Sequence, residues 1–279
     1  MSALFELVPG DAAVIVNVPH AGTFLPDDIR AALTPEGREV PDTDWHVDTL
    51  FRDLARKRNI TFMAATHSRI VTDLNRDPSG ASLYPGASNT EICPTSTFHD
   101  QPHYLPGRAP GAAEIARRVE RYWRPYHARL AAEIERIRAR HGHAILLDGH
   151  SIVSRAPRFF EGRLPDLNLG TADGASAAPA VAEAAARVLA SAGAAAGLTF
   201  VHNGRFKGGY ITRHYGQPRQ NVHALQLETA QCCYMDESRP NDFNAARAAP
   251  LASVLAALLD ALVALPTSTL GERGQKSDD

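Results

Sequence analysis

Two histidines and a glutamate lie at the ends of three apolar runs, and residues of those types in those places can build a metal-dependent hydrolytic centre. His20 follows residues 12–18, His150 follows residues 144–148, and Glu228 closes residues 223–228. Short β-branched or leucine-rich runs of this kind read as strands buried on both faces. In open α/β sheets, ligands gather outside the carboxyl ends of the strands, where loops bring polar groups together above a rigid floor. Two neutral imidazoles and a carboxylate hold a catalytic zinc with one coordination position left open, and a further carboxylate beside that position takes a proton from water. The remaining acidic ligand has to come from elsewhere, and Asp42, Asp44, His46 and Asp48 crowd the start of a helix expected over residues 44–57. Asp44 and Asp48 are four apart, a spacing that puts both on one helical face; His46 falls off that face and is set aside. Each residue also has a plainer reading: a loop histidine is commonly structural, Asp44 can cap a helix or complement its dipole, and Glu228 can be one half of a salt bridge. The convergence of three strand ends is what favours chemistry.

A second constellation, Ser68-Arg-Ile-Val-Thr-Asp-Leu-Asn-Arg76, places Asn75 beside Arg76. A guanidinium grips a carboxylate through two parallel hydrogen bonds and a neighbouring amide completes the grip, which suits an acidic amino-acid ligand. A structural pairing of Arg76 with Asp73 or Asp77 is the plainer alternative. Residues 204–216 add Arg205, Lys207 and Arg213 around Gly208 and Gly209. Their spacing matches neither the dinucleotide fingerprint nor the P-loop, and a β-hairpin closing over a ligand is the expectation for this segment.

These groups need a frame. Strands are expected at residues 12–18, 61–65, 69–73, 144–148 and 223–228, and helices at residues 44–57, 111–141, 179–192 and 244–265, with a kink at Pro125 in the second. Helices alternating with buried strands predict a three-layer α/β domain with a mixed, mostly parallel sheet. One domain over residues 1–265 is expected, followed by a polar, disordered tail over 266–279.

Composition narrows the function. Lys plus Arg (29) nearly balance Asp plus Glu (31) and no basic run occurs, which argues against a nucleic-acid partner. The beginning of the chain has no basic segment leading into a long apolar stretch, and no window approaches the length of a membrane span. A cytoplasmic location and no membrane partner are therefore expected. Cys93, Cys232 and Cys233 form no disulfide framework, since adjacent cysteines bridge only with strain.

Six stretches taken together resemble the N-formylglutamate amidohydrolase family: Val16-Asn-Val-Pro-His-Ala-Gly22, Thr43-Asp-Trp-His-Val-Asp48, Ser68 to Arg76 as quoted, Leu147-Asp-Gly-His-Ser151, Gly208-Gly-Tyr-Ile-Thr-Arg213 and Leu225-Gln-Leu-Glu228. The resemblance implies a fold like that of zinc carboxypeptidases, with a mixed sheet between helices. It implies zinc held by His20, His150 and either Asp44 or Asp48, with Glu228 as the general base and the Asn75-Arg76 pair binding a substrate carboxylate. The carboxypeptidase pattern has its acidic ligand three residues after the first histidine, where this chain has Thr23, so the aspartate must come from the following segment. The implied reaction is hydrolysis of N-formyl-L-glutamate to formate and L-glutamate, a last step of histidine breakdown. Arg69 or Arg213 would face the developing oxyanion, and Arg213 or a neighbour the second carboxylate. Three other readings compete: an amidase for another N-acyl amino acid or cell-wall peptide, a serine hydrolase using Ser151, and a non-catalytic acidic amino-acid binder. Against Ser151, no Gly-x-Ser-x-Gly elbow surrounds it, and neighbours on a strand face opposite ways.

Overall fold

The computed structural model describes residues 3–81 and 90–266, so all but the first residue of the expected tail lies outside the described residues. Seven strands form one mixed sheet: β1 (Phe5–Val8), β2 (Val14–Val18), β3 (Thr61–Ala65), β4 (Ala144–Ile152), β5 (Leu167–Gly170), β6 (Phe200–His202) and β7 (Val222–Ala230), in the order β1-β3-β2-β4-β7-β5-β6. The four inner strands β3, β2, β4 and β7 run parallel, β1 and β5 join them antiparallel, and β6 is parallel to β5. Eight α-helices accompany the sheet among the described residues: α1 (Asp27–Arg30), α2 (Pro35–Arg38), α3 (Val47–Lys57), α4 (Ala112–Arg118), α5 (Arg124–His141), α6 (Pro179–Ala195), α7 (Tyr210–Tyr215) and α8 (Ala245–Val263).

Strand periodicity sorts the core into two layers. Val14, Val16, Val18, Leu147 and Leu225 face α3, α6 and α8, while Ile15, Leu146 and Ala224 face α5 and α7. Register keeps the rows aligned, with Val16 opposite Leu147 and Leu147 opposite Leu225. The next row on the α5 side is polar across β2, β4 and β7: Asn17 lies opposite Asp148 and Asp148 opposite Gln226, and two residues further along His150 is paired with Glu228. Helices on both faces of the sheet give the expected three-layer α/β architecture.

Several local expectations change. Residues 69–73 form a turn rather than a strand, because Arg69 and Asp73 are bonded to each other at 2.6 Å and Val71 N–H donates to the Ser68 carbonyl. The helix expected from residue 44 begins at Val47, because His46 has a left-handed backbone (φ 61°). Residues 204–216 hold α7 instead of a hairpin. Pro125 opens α5 just after a π-helical turn, Val119–Trp123; the wider turn accommodates a residue that lacks an N–H and crowds the preceding carbonyl. β1, β5 and β6, of four, four and three residues, are too short for alternation to announce them. Contrary to the sequence reading, α8 is long and apolar enough to cross a membrane by length and composition. Its Leu251, Val254, Leu255, Leu258, Leu259 and Leu262 are buried against α6 and the sheet, the pattern of a core helix.

His127 on α5 is buried between the Leu74 carbonyl at 2.8 Å and the Tyr215 hydroxyl at 2.9 Å. Burial holds its pKa down to about 3, so the fold keeps the ring neutral. The stability this supplies is complete above the unfolded value of about 6.5 and is lost as pH falls from there toward about 3. Chemical denaturation between about pH 7 and about pH 4 is expected to show this group contributing on the order of 1 kcal/mol of lost stability per pH unit. His127→Gln is expected to flatten that slope, and equal slopes in the two proteins would contradict the assignment.

Candidate active site

Three chain segments meet at the carboxyl ends of β2 and β4. His20 lies two residues past β2, His150 lies near the end of β4, and Asp44 arrives from the segment before α3, its N–H donating to the His20 carbonyl at 3.0 Å. Asp44 Oδ2 is 2.9 Å from His150 Nδ1 and 3.7 Å from His20 Nδ1. Both rings rest their far nitrogens on carboxylates: His20 Nε2 on Asp73 Oδ1 at 2.8 Å and His150 Nε2 on Asp148 Oδ2 at 2.8 Å. Asn75 Nδ2 also lies 3.1 Å from His150 Nε2. Asp148 can only accept, so the Nε2 proton is directed to it. In this arrangement each imidazole donates through Nε2 and turns the Nδ1 lone pair toward Asp44, the carboxylate-backed geometry of a metal-ligating histidine.

The residues present fit a metal on two counts. The buried His20 Nδ1 has no hydrogen-bond partner in the protein, a costly state for a polar atom unless something else binds it. One donor atom each from His20, Asp44 and His150 lies within 4.8 Å of the others, comparable with the separation of about 3.3 Å that a tetrahedral ion with ligands at about 2.0–2.1 Å imposes.

Electrostatics agree. Asp44, Asp73 and Asp148 are each at most 1% exposed, and among these neighbours only Arg69 carries a permanent positive charge, 2.6 Å from Asp73 and 3.8 Å from Asp44. Burial pushes the Asp44 carboxyl up, but the His150 and His20 rings beside it outweigh that and hold it well below the usual carboxylate range. Burial likewise opposes ionisation of Asp73, and the Arg69 charge followed by His20 holds it low. Burial alone would pull His150 down; Asp148 and Asp44 instead raise it well above an ordinary histidine. With both imidazoles neutral, as metal ligation requires, three carboxylates against the Arg69 guanidinium leave an excess of two negative charges, which one divalent cation would neutralise.

Further residues hold this cluster in place. Tyr126 hydroxyl donates to Asn17 Oδ1 at 2.6 Å, and Asn17 Nδ2 donates to Asp148 Oδ1 at 2.7 Å, so α5 reaches His150 through two intermediaries. Asn75 N–H donates to Asp73 Oδ1 at 2.9 Å. Gly209 N–H donates to Gln226 Oε1 at 2.8 Å and Ile211 N–H to Asn75 Oδ1 at 2.8 Å. A Cβ on Gly209 would lie 2.4 Å from the Asn75 amide, so glycine there lets α7 approach and pin that side chain.

Glu228, paired in register with His150 and 8% exposed, lines the same cleft. Burial, with Asp44 and Asp148 adding and with His150 and Arg69 opposing, pushes its pKa up to about 8. The cleft encloses about 600 Å³ including its open mouth, and its walls carry Arg69, Arg76 and Arg205 together with Phe98, Phe159 and Phe206.

Some expected residues go elsewhere. Asp48 does not join the histidines: the left-handed residue at 46 separates it from Asp44, and it pairs with Arg52 at 2.7 Å. Arg213 is exposed on α7, outside the cleft lining, with Nε donating to the Gly208 carbonyl at 3.0 Å. Arg205 takes the place on the wall that Arg213 was expected to hold. Asn75, Arg76 and Arg69 do line the cleft, but Asn75 and Arg69 also bond the cluster, and Arg76 bonds Thr90 Oγ1 at 2.8 Å. Ser151 accepts from Gln231 at 3.3 Å, and both His150 ring nitrogens face aspartates, so His150 does not serve Ser151 as a base. Sequence reasoning assigned no role to Asp148, although its position two before His150 on a strand put both on one face. Tyr126 and Asn17 gave no such signal.

Residues 12–235 match the sequence model of the N-formylglutamate amidohydrolase family. The chain belongs to that family. It is 44% identical over 264 residues to the N-formylglutamate deformylase of Pseudomonas putida, covering 95% of this chain and 97% of the relative. The protein of that name from Pseudomonas aeruginosa is 45% identical over the same length and shares. The crystal structure of N-formylglutamate amidohydrolase from Ralstonia eutropha JMP134 superposes with a TM-score of 0.76 at 30% identity, over 93% of this chain and 97% of that one. In this family member, the geometry predicts that purified protein contains about one equivalent of divalent metal, that Asp44→Ala loses it, and that Asp48→Ala keeps it. Metal analysis showing the reverse pattern would move the acidic ligand to α3.

Proposed function

We propose that this protein is a zinc-dependent amidohydrolase that converts N-formyl-L-glutamate to formate and L-glutamate. The observation that carries the reading is the His20, Asp44 and His150 group opening beside Glu228 into a cleft walled by three arginines, in a chain closely similar to proteins named for that reaction. His20, Asp44 and His150 would hold the ion, which when bound supplies a Lewis acid and lowers the pKa of water toward about 7. The domain is a single one over residues 1–265, acting in the cytoplasm on a small acidic N-acyl amino acid.

The chain's own groups divide the remaining work. Glu228 takes the proton of the attacking water and returns it to the departing amine nitrogen, one carboxyl acting in turn as base and acid. Its high pKa suits the second task, and a divalent charge on Asp44 would pull it down toward the range needed for the first. Arg69, held against Asp73 and Asp44, contributes positive charge where the carbonyl oxygen becomes an oxyanion. Arg76, with Asn75, binds one carboxylate of the substrate. Arg205, its Nε on the Phe159 carbonyl at 2.9 Å, binds the other. The phenylalanines around it exclude water, which strengthens both ion pairs.

Glu228→Gln is expected to lower kcat by about a hundredfold or more while leaving the metal in place; turnover at the wild-type rate would remove Glu228 from the reaction. Arg205→Met is expected to raise KM for N-formyl-L-glutamate by about tenfold or more and to erase its advantage over N-formyl-L-glutamine, with kcat changed less. A retained preference for the dicarboxylate would place the second anchor elsewhere. Comparing formate, acetate and succinate release from the corresponding N-acyl glutamates separates the deformylase reading from a broader amidase.

A further inference from the structure

Outside the cleft, Cys232 and Cys233 follow β7 after Gln231, in a short 3-10 turn. Asp166, just before β5, lies against them, and the two sulfurs and an Asp166 oxygen are all within 4.8 Å of one another. Arg163 NH2 is 2.6 Å from Asp166 Oδ1 and 3.4 Å from the Cys232 sulfur. Cys233 Sγ donates to the same Asp166 oxygen at 3.3 Å. Asp166 Oδ2 accepts from Thr199 N–H at 2.9 Å and from Thr199 Oγ1 at 2.7 Å.

Two thiols and a carboxylate invite a soft metal, but the charges argue otherwise. The Asp166 carboxylate is already engaged at both oxygens, and the Arg163 guanidinium beside it would repel a cation. The same guanidinium stabilises a thiolate on Cys232. The adjacent Cys233 thiol and the Arg163 guanidinium hold the Cys232 thiol down to about 6 against burial, while its neighbour Cys232, burial and Asp166 push Cys233 up. Cys93 is buried, and burial pushes it up to about 11. Cys232 is only partly buried, so reagents in solution can reach it.

We propose that Cys232 is a modification site, a nucleophilic thiolate that reacts with hydroperoxides. In that step the Cys232 sulfur bonds to the terminal oxygen, the O–O bond breaks and the departing oxygen leaves as hydroxide or alkoxide, which a solvent proton neutralises. Sulfur is oxidised by two electrons to a sulfenic acid and the peroxide is reduced.

The location couples this thiol to the cleft. Cys232 N–H donates to Glu237 Oε1 at 3.0 Å, and Glu237 also receives the Ser154 N–H at 2.6 Å and the Ser154 hydroxyl at 2.8 Å. Gln231, the preceding residue, donates to the Thr43 carbonyl at 2.9 Å, and Thr43 precedes Asp44. An oxygen added to Cys232 therefore disturbs a turn that ties the end of β7 to the segment delivering Asp44.

The test is site-resolved labelling of the full-length protein with iodoacetamide, in which the sulfur bonds to carbon and iodide leaves, read by mass spectrometry at neutral pH. Cys232 is expected to label at least about tenfold faster than Cys93 or Cys233. Prior hydrogen peroxide is expected to block that labelling, and dithiothreitol to restore it. Arg163→Met is expected to slow Cys232 labelling by about tenfold and Arg163→Lys to recover part of the rate, while Cys232→Ser retains wild-type basal turnover and loses peroxide sensitivity. Equal labelling of the three cysteines, or a Cys232 rate unchanged by Arg163→Met, would overturn the proposal.

Discussion

Three buried carboxylates packed against two imidazoles, with one guanidinium to offset them, are the constraint on which the rest of this structure depends. Such a cluster costs too much to bury unless positive charge is brought in or protons are taken up. The protein meets part of the demand with Arg69, which spans Asp73 and Asp44. It orients the remainder, turning both Nδ1 atoms toward Asp44 by anchoring both Nε2 atoms on aspartates. A cation site built this way is largely determined before the cation arrives, because ring orientation and tautomer are set by the partners behind the rings.

The sheet makes that preorganisation economical. A single register places Asn17, Asp148 and Gln226 in one row and His150 with Glu228 in the next, so His150, the Asp148 carboxylate behind it and Glu228 share a face of three parallel strands. Buried apolar rows beneath them fix the strands against α5 on one side and α3, α6 and α8 on the other. The cleft walls come from less regular segments, which carry Arg76, Arg205 and the phenylalanines. Under the proposed function, chemistry rests on the stiff part of the fold and selectivity on its loops, where replacement is structurally easier.

Much of this was legible in the sequence, and the exceptions have physical causes. The strand ends carrying His20, His150 and Glu228 were readable because buried parallel strands are short apolar runs and their carboxyl ends are where ligands gather. The choice between Asp44 and Asp48 was not. It turns on the left-handed backbone at His46, whose Nε2 lies 2.8 Å from the Pro240 carbonyl, 194 residues away, and no local pattern encodes such a contact. The turn at residues 69–73 looked like a strand because Ile70 and Val71 are apolar and β-branched, whereas the Arg69 and Asp73 pair decides its shape. Arg205 and Arg213 were equivalent in sequence; the path of α7, set by Gly209 against Asn75, separates them.

The central claim is that a divalent metal completes the cluster and that the reaction requires it. The most direct measurement follows formate release from N-formyl-L-glutamate while metal content is reduced stepwise with a chelator and then rebuilt with zinc. The account predicts that activity falls in proportion to the metal removed, reaches background at zero equivalents and returns as one equivalent is restored. Undiminished formate release from metal-free, folded protein would contradict it.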